Sequence, residues 1–206
     1  FGFFDKAIAD QNSCLRVEPA YQNCTRWKGQ AYMYTGDEGK ALALFEQGVA
    51  AGFVTNRANS FVPAMVRRGD TLAARLIMND INVSPEFSSI LIAELAKPAA
   101  SNIDADAVLA KFGAQNTKAS GVELSPRIVY LWLGDFDAVG KHASDSESTN
   151  DEILAWEPAR PSWRNSPGFK RVLRESGVLD YWRQHGYPSH CHAVGTNDFT
   201  CDETKP

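Results

Sequence analysis

Apolar residues recur every three to four positions along most of the chain, so amphipathic helices are the predicted elements. Phe3 to Val17 sets Phe4, Ala7, Ile8 and Leu15 on one side, and Pro19 ends it. Tyr21 to Tyr34 and Asp37 to Val49 follow as a pair around Gly36-Asp37, with Gly52-Phe53 as the stop. Asn59-Ser60 caps SFVPAMVRRGD, and Gly69-Asp70 turns that helix into TLAARLIMND. Ser84-Pro85 and Ser125-Pro126 each join a capping hydroxyl to a proline at the first helical position. They open PEFSSILIAELAK and PRIVYLWLGDFDAVGKHAS, and DADAVLAKFGA is a further helix between them. Thr117 to Glu123 and the acidic run Asp145 to Glu152 read as loops.

Gly29, Tyr32, Gly36-Asp37, Ala41 and Phe45 carry the spacing of the tetratricopeptide helix pair. Gly29 and Ala41 are small where two helices cross closely, Tyr32 and Phe45 fill the gap, and Gly36-Asp37 supplies a permissive turn and a helix-start acid. One pair cannot bury its apolar face alone and needs stacked neighbours. The turn glycines Gly2, Gly36, Gly69 and Gly134 are separated by 34, 33 and 65 positions, which places a degenerate turn near Asn102, in AKPAASN. Ala7 precedes Ala41, and Cys14 precedes Gly48, by the same 34. The expected fold is all-α: a right-handed superhelix of tetratricopeptide-like helix pairs over residues 1–155, with a C-terminal capping segment and disulfide-closed tail over 156–206. With Gly2 at a turn position, the first helix of its pair is expected upstream of Phe1, in a longer protein.

Such a stack has a concave groove lined by the first helix of each pair. Helical phase places Arg26, Gln30 and Met33 there on the helix before Gly36, and Met65 and Arg68 on the next. They are the candidate contacts for a peptide, a partner protein or a small molecule. The tripeptide Arg68-Gly69-Asp70 matches an adhesion motif, but its glycine is already required by the turn.

Composition changes this picture little. The chain of 206 residues is 44% hydrophobic and 22% charged, and its formal net charge of -4 speaks against a nucleic-acid-binding surface on this segment. Nothing approaches the ~18 apolar residues of a membrane span. The four cysteines form two local pairs, each ten residues apart. A Cys14 to Cys24 bridge would cross the turn at Pro19, and a Cys191 to Cys201 bridge would close a loop in an otherwise weakly structured tail. Two such bridges imply an oxidising compartment, with small buried thiols as the alternative.

His185, His190, Cys191 and His192, with Cys201, offer zinc-ligand chemistry, yet three ligands on consecutive positions suit one tetrahedral ion poorly. A disulfide flanked by exposed histidines is the expectation, with no metal and no cofactor. Gly-x-Ser-x-Gly, phosphate-loop and Rossmann signatures are missing from the sequence, and the acid pairs Asp135/Asp137 and Asp104/Asp106 read as helix caps. No catalytic residue is predicted.

From Trp156 onward the chain is dense in aromatics, proline and arginine. Phe169, Val172, Leu173 and Leu179 are expected to bury against the last repeat, with Trp163, Tyr181 and Trp182 completing the packing. Arg160, Arg164, Lys170, Arg171, Arg174 and Arg183 form either a patch for an anionic ligand or acidic peptide, or internal pairs with Glu157, Glu175, Asp180 and the acidic loop. SPGFKRVLRESGVLDYWRQHGYPSHC and the later DFTC resemble the C-terminal ending of bacterial signalling proteins with tetratricopeptide regions. These are membrane-anchored winged-helix transcription regulators of the ToxR/CadC-like type, and relatives linked to class III nucleotide cyclases. The match rests on Pro167, Phe169, Gly177, Tyr181, Trp182, Pro188, Cys191, Asp198, Phe199 and Cys201. It implies a non-catalytic sensory or protein-interaction domain, in the first family periplasmic and tied to the membrane through an upstream span. The alternatives are the regulatory region of a cytosolic nucleotide cyclase and a secreted helical protein that binds metal at its C-terminal His/Cys cluster.

Overall fold

The computed structural model describes residues 2–52, 61–81, 83–97, 103–113, 124, 126–135, 137–139, 156 and 161–202. Helices α1 (Phe4–Val17), α2 (Gln22–Tyr34), α3 (Glu38–Ala50), α4 (Val62–Arg67), α5 (Thr71–Asp80), α6 (Pro85–Leu95), α7 (Ala105–Gly113) and α8 (Pro126–Leu133) run in sequence. A 3-10 turn (Pro161–Asn165), α9 (Pro167–Glu175), α10 (Val178–His185) and a hairpin of β1 (Cys191–Val194) and β2 (Asp198–Cys201) complete the described chain. It is a predominantly helical protein. The expected cap at Asn59-Ser60, the degenerate turn at 98–102, the loop 117–123 and the acidic run 145–152 lie outside the described residues.

One turn device is used repeatedly. Gly36, Gly69 and Gly134 have φ of 83, 80 and 87 degrees, the left-handed region where a Cβ is disfavoured. After each, the aspartate N–H reaches back to the last turn: Asp37 to Tyr32 O at 2.9 Å, Asp70 to Met65 O at 2.9 Å, Asp135 to Tyr130 O at 3.0 Å. This is the Schellman closure, which satisfies carbonyls a helix end leaves open. The same aspartates then cap the following helix, accepting from the N–H of Lys40 at 3.2 Å, Ala73 at 3.1 Å and Ala138 at 3.0 Å. Asp104 does likewise with Ala107 at 2.9 Å. The caps at 37, 70, 104 and 135 thus repeat the period that the glycines set. At Gly69 a Cβ would have nothing within 4 Å, so Gly69→Ala isolates the backbone term. The expected losses are about 1 to 2 kcal/mol for Gly69→Ala and about 1 kcal/mol for Asp70→Ala. Urea unfolding of the two variants checks both.

Each helix packs on the next from α1 to α3 and from α4 to α8, and α4 also meets α6 as α6 meets α8. At the α2–α3 crossing a methyl on Gly29 would lie 3.5 Å from the Ala41 carbonyl, an ordinary van der Waals distance, so the helices pack here without excluding alanine at this position. Phe45 stacks on Phe61 with centroids 5.0 Å apart, and Arg67 pairs with Glu38, joining one helix pair to the next. In α8 every residue from Ile128 to Leu133 is buried, and the Tyr130 hydroxyl donates to Asp106 of α7 at 2.7 Å. That bond, together with burial, pushes the phenol up to about 12.

The C-terminal segment corrects two expectations. The expectation was packing against the last repeat; among the described residues its ring contacts and hydrogen bonds outside the segment run to α1 and α2, through Phe4, Asp5 and Tyr34. The amphipathic pattern identified what is buried, including Trp163, Phe169, Val172, Leu173, Leu179 and Trp182, but not the surface that buries it. The tail is also ordered: β1 and β2 pair antiparallel with Cys191 opposite Cys201 and Val194 opposite Asp198. Asn165 serves the edge of β2 as a strand would. Its amide donates to Cys201 O at 2.8 Å, and its Oδ1 accepts from Cys201 N at 2.8 Å.

Candidate functional site

The predicted groove residues are not one exposed face. Gln30, Met33 and Met65 are buried in the core, Arg26 is half-buried, and only Arg68 is exposed, beside the Gly69 turn. Their selection by helical phase is corrected for a physical reason: α2 is flanked by both α1 and α3, and Val62 to Val66 of α4 are all buried. Phase separates two faces of a helix but does not show which faces neighbours cover. On α2 the half-buried Arg26 lies beside the exposed Trp27, the guanidinium 4.6 Å from the ring centroid.

A denser cluster of chemistry lies where the two ends of the chain meet. Trp156 is 3% exposed and is ringed by Phe4 at 5.1 Å, Phe169 at 5.3 Å, His190 at 5.7 Å and Trp182 at 6.0 Å between centroids. Gly2 is held at a φ of 80 degrees directly under it; a Cβ there would come within 2.6 Å of the indole. Phe4 stacks on His190 at 5.3 Å, and the Ser189 hydroxyl donates to Asp5. Arg164 donates to the Tyr34 carbonyl and lies over Trp156, 5.5 Å from its centroid. Burial lowers the Arg164 guanidinium to about 10, still a cation at neutral pH.

His190 departs from the exposed flanking histidine that was expected. Its ring is half-buried and its Nε2 is enclosed without a hydrogen-bond partner among the described residues. Desolvation first, then the Arg164 charge, depresses it to about 4; His192 adds to this, while Asp5 and Asp202 oppose it. An unfolded histidine takes up its proton near pH 6.5, whereas the folded one resists until about 4. The contribution of His190 is therefore complete above pH 6.5 and is lost as the pH falls from 6.5 to 4. The ring is partly wet, so the expected loss is about 2 kcal/mol. Urea unfolding at pH 7 and pH 4 should show that much more acid sensitivity in the wild type than in His190→Phe.

The basic residues are mostly consumed internally. Lys170 and Arg174 hold Asp198 at 2.8 and 3.1 Å, and Arg183 takes Asp180 at 2.8 Å. The Lys170 hydrogen bond keeps the Asp198 carboxyl below its ordinary value. Arg164 is buried, Arg171 is exposed, and Arg160 lies outside the described residues. Three residues of the sequence resemblance meet in an aromatic knot, Phe169 with Phe199 at 6.1 Å and Trp182 with Phe199 at 5.3 Å, while Gly177 turns α9 into α10 at a φ of 75 degrees and Tyr181 is exposed.

Cys14 is bonded to Cys24 and Cys191 to Cys201, with Cα atoms 6.4 and 3.9 Å apart. Bonded sulfurs are not metal ligands, and two disulfides fit an oxidising environment, extracellular or periplasmic. Among the described residues no helix is long and apolar enough to cross a membrane. Fold and site together define a helical chain with a recurring Gly-Asp turn, whose aromatic C-terminal module is docked on its N-terminal helices. No family model, curated protein or solved structure matches the chain.

Proposed function

We propose that this chain is a non-catalytic sensory or protein-interaction domain of a bacterial signalling protein. In this reading its helix pairs stack as a right-handed tetratricopeptide-like superhelix, and the domain is the periplasmic part of a transmembrane transcription regulator. The observation that carries the reading is the Gly-Asp turn recurring at 36, 69 and 134, combined with the contacts from α4 to α6 and from α6 to α8. Stacked first helices of this kind present a continuous surface on which an extended peptide, a partner protein or a small molecule can lie. The disulfides support the periplasmic side over the cytosolic cyclase-linked alternative. The engagement of Cys191 with Cys201 disfavours the metal-binding alternative.

Accessible contacts on the first helices are Arg26, Trp27 and Arg68. Selection of binders from a random peptide library on the folded chain tests the reading. Peptides that lose binding to Arg26→Glu and Arg68→Glu, but keep it to Arg183→Glu, support the groove. Binders indifferent to the first two variants, or no binders at all, overturn it.

A further inference from the structure

Arg164 is 6% exposed, and among the described residues its guanidinium meets one carbonyl and one aromatic face but no carboxylate. Guanidinium has five N–H donors, and a buried cation without a counter-charge is strongly disfavoured. Two more polar groups border the same indole unsatisfied. Trp156 Nε1 and His190 Nε2 are both enclosed with no hydrogen-bond partner among the described residues. Indole can only donate, and neutral imidazole can donate from Nε2. Asp5, the one carboxylate that the module touches on α1, is occupied by the Ser189 hydroxyl.

We propose that Arg164, Trp156 and His190 form a binding site for a single small carboxylate. One guanidinium charge is matched by a monoanion. The carboxylate oxygens have lone pairs for the Arg164 fork, the indole N–H and the imidazole, which satisfies all three groups at once. Phe4 and Tyr34, packed ring on ring at 5.3 Å, give an apolar wall suited to a methyl group or other short apolar body. A phosphate dianion would leave excess negative charge among aromatic rings. This site is separate from the first-helix surface proposed above and does not depend on it.

The test is a titration of the full chain with sodium acetate at pH 7, read by Tm and tryptophan fluorescence. Sodium is held constant with the salt of a bulky morpholine sulfonate. Binding to the folded state alone gives a saturable rise in Tm. The rise should vanish in Arg164→Met and persist in Arg174→Met, whose arginine pairs at the surface with Asp198. Trp156→Phe keeps the ring and removes one donor, so half-saturation should move about tenfold higher. An acetate effect that is absent or unsaturable in the wild type, or equal in Arg164→Met, overturns the proposal. Should Arg164→Met not fold, an unchanged half-saturation in Trp156→Phe overturns it.

Discussion

Replacing Trp156 by alanine lowers the unfolding free energy by about 3 to 5 kcal/mol, the range for emptying a large buried aromatic site. The indole touches Phe4 of α1, Phe169 of α9, Trp182 of α10 and His190 before β1, so one truncation removes the common neighbour of three helices and of the turn that leads into β1. It also strips the aromatic face from under Arg164, leaving that buried charge with a single carbonyl. Trp156→Phe keeps most of the ring and loses far less. Urea unfolding supplies the magnitudes. Amide exchange locates the damage: protection should fall in α1 and in the 190–201 hairpin before it falls in α6 and α8. Uniform loss, or a Trp156→Ala variant within about 1 kcal/mol of wild type, would mean that the two ends of the chain are not held through this ring. Gly2→Ala probes the same contact from the opposite side, because its methyl would be driven into the indole.

The local level of the fold was legible and the long-range level was not. Gly36, Gly69 and Gly134 could be placed because a turn that requires positive φ selects glycine, and the following aspartate is chosen by a second, independent demand for a cap. Both signals lie within a few residues of sequence. Phe4 and Trp156 are separated by most of the chain, and no local periodicity records that they pack together. The same limit explains Met33 and Met65. Their helical phase was readable, but burial depends on neighbours such as α1 and Phe61, which phase does not report. Adjacency in the sequence groups His190 with His192. Strand alternation and the turn before β1 send the two into different surroundings, one against Phe4 and the other beside Asp202.

Opening the Cys191–Cys201 bridge is the other change with a large expected effect. Both disulfides span ten residues, so closure of the unfolded chain contributes about 2 to 3 kcal/mol for each. Any difference between their removals must therefore arise in the folded state. Cys14–Cys24 joins α1 and α2, which already pack along their lengths. Cys191–Cys201 closes a two-stranded hairpin, an element that is marginal alone in water. What else holds that hairpin is Phe199, packed on Phe169 and Trp182, the Asn165 amide on Cys201, and the Asp198 ion pairs. Cys191→Ala with Cys201→Ala should cost more than Cys14→Ala with Cys24→Ala by about 1 kcal/mol, since it also removes two fully buried sulfurs. Amide exchange at Phe199 and Cys201 should accelerate in the first variant alone. Equal losses with unchanged exchange at β2 would show that the aromatic knot holds the hairpin without its disulfide, and that the bridge acts on the unfolded chain only.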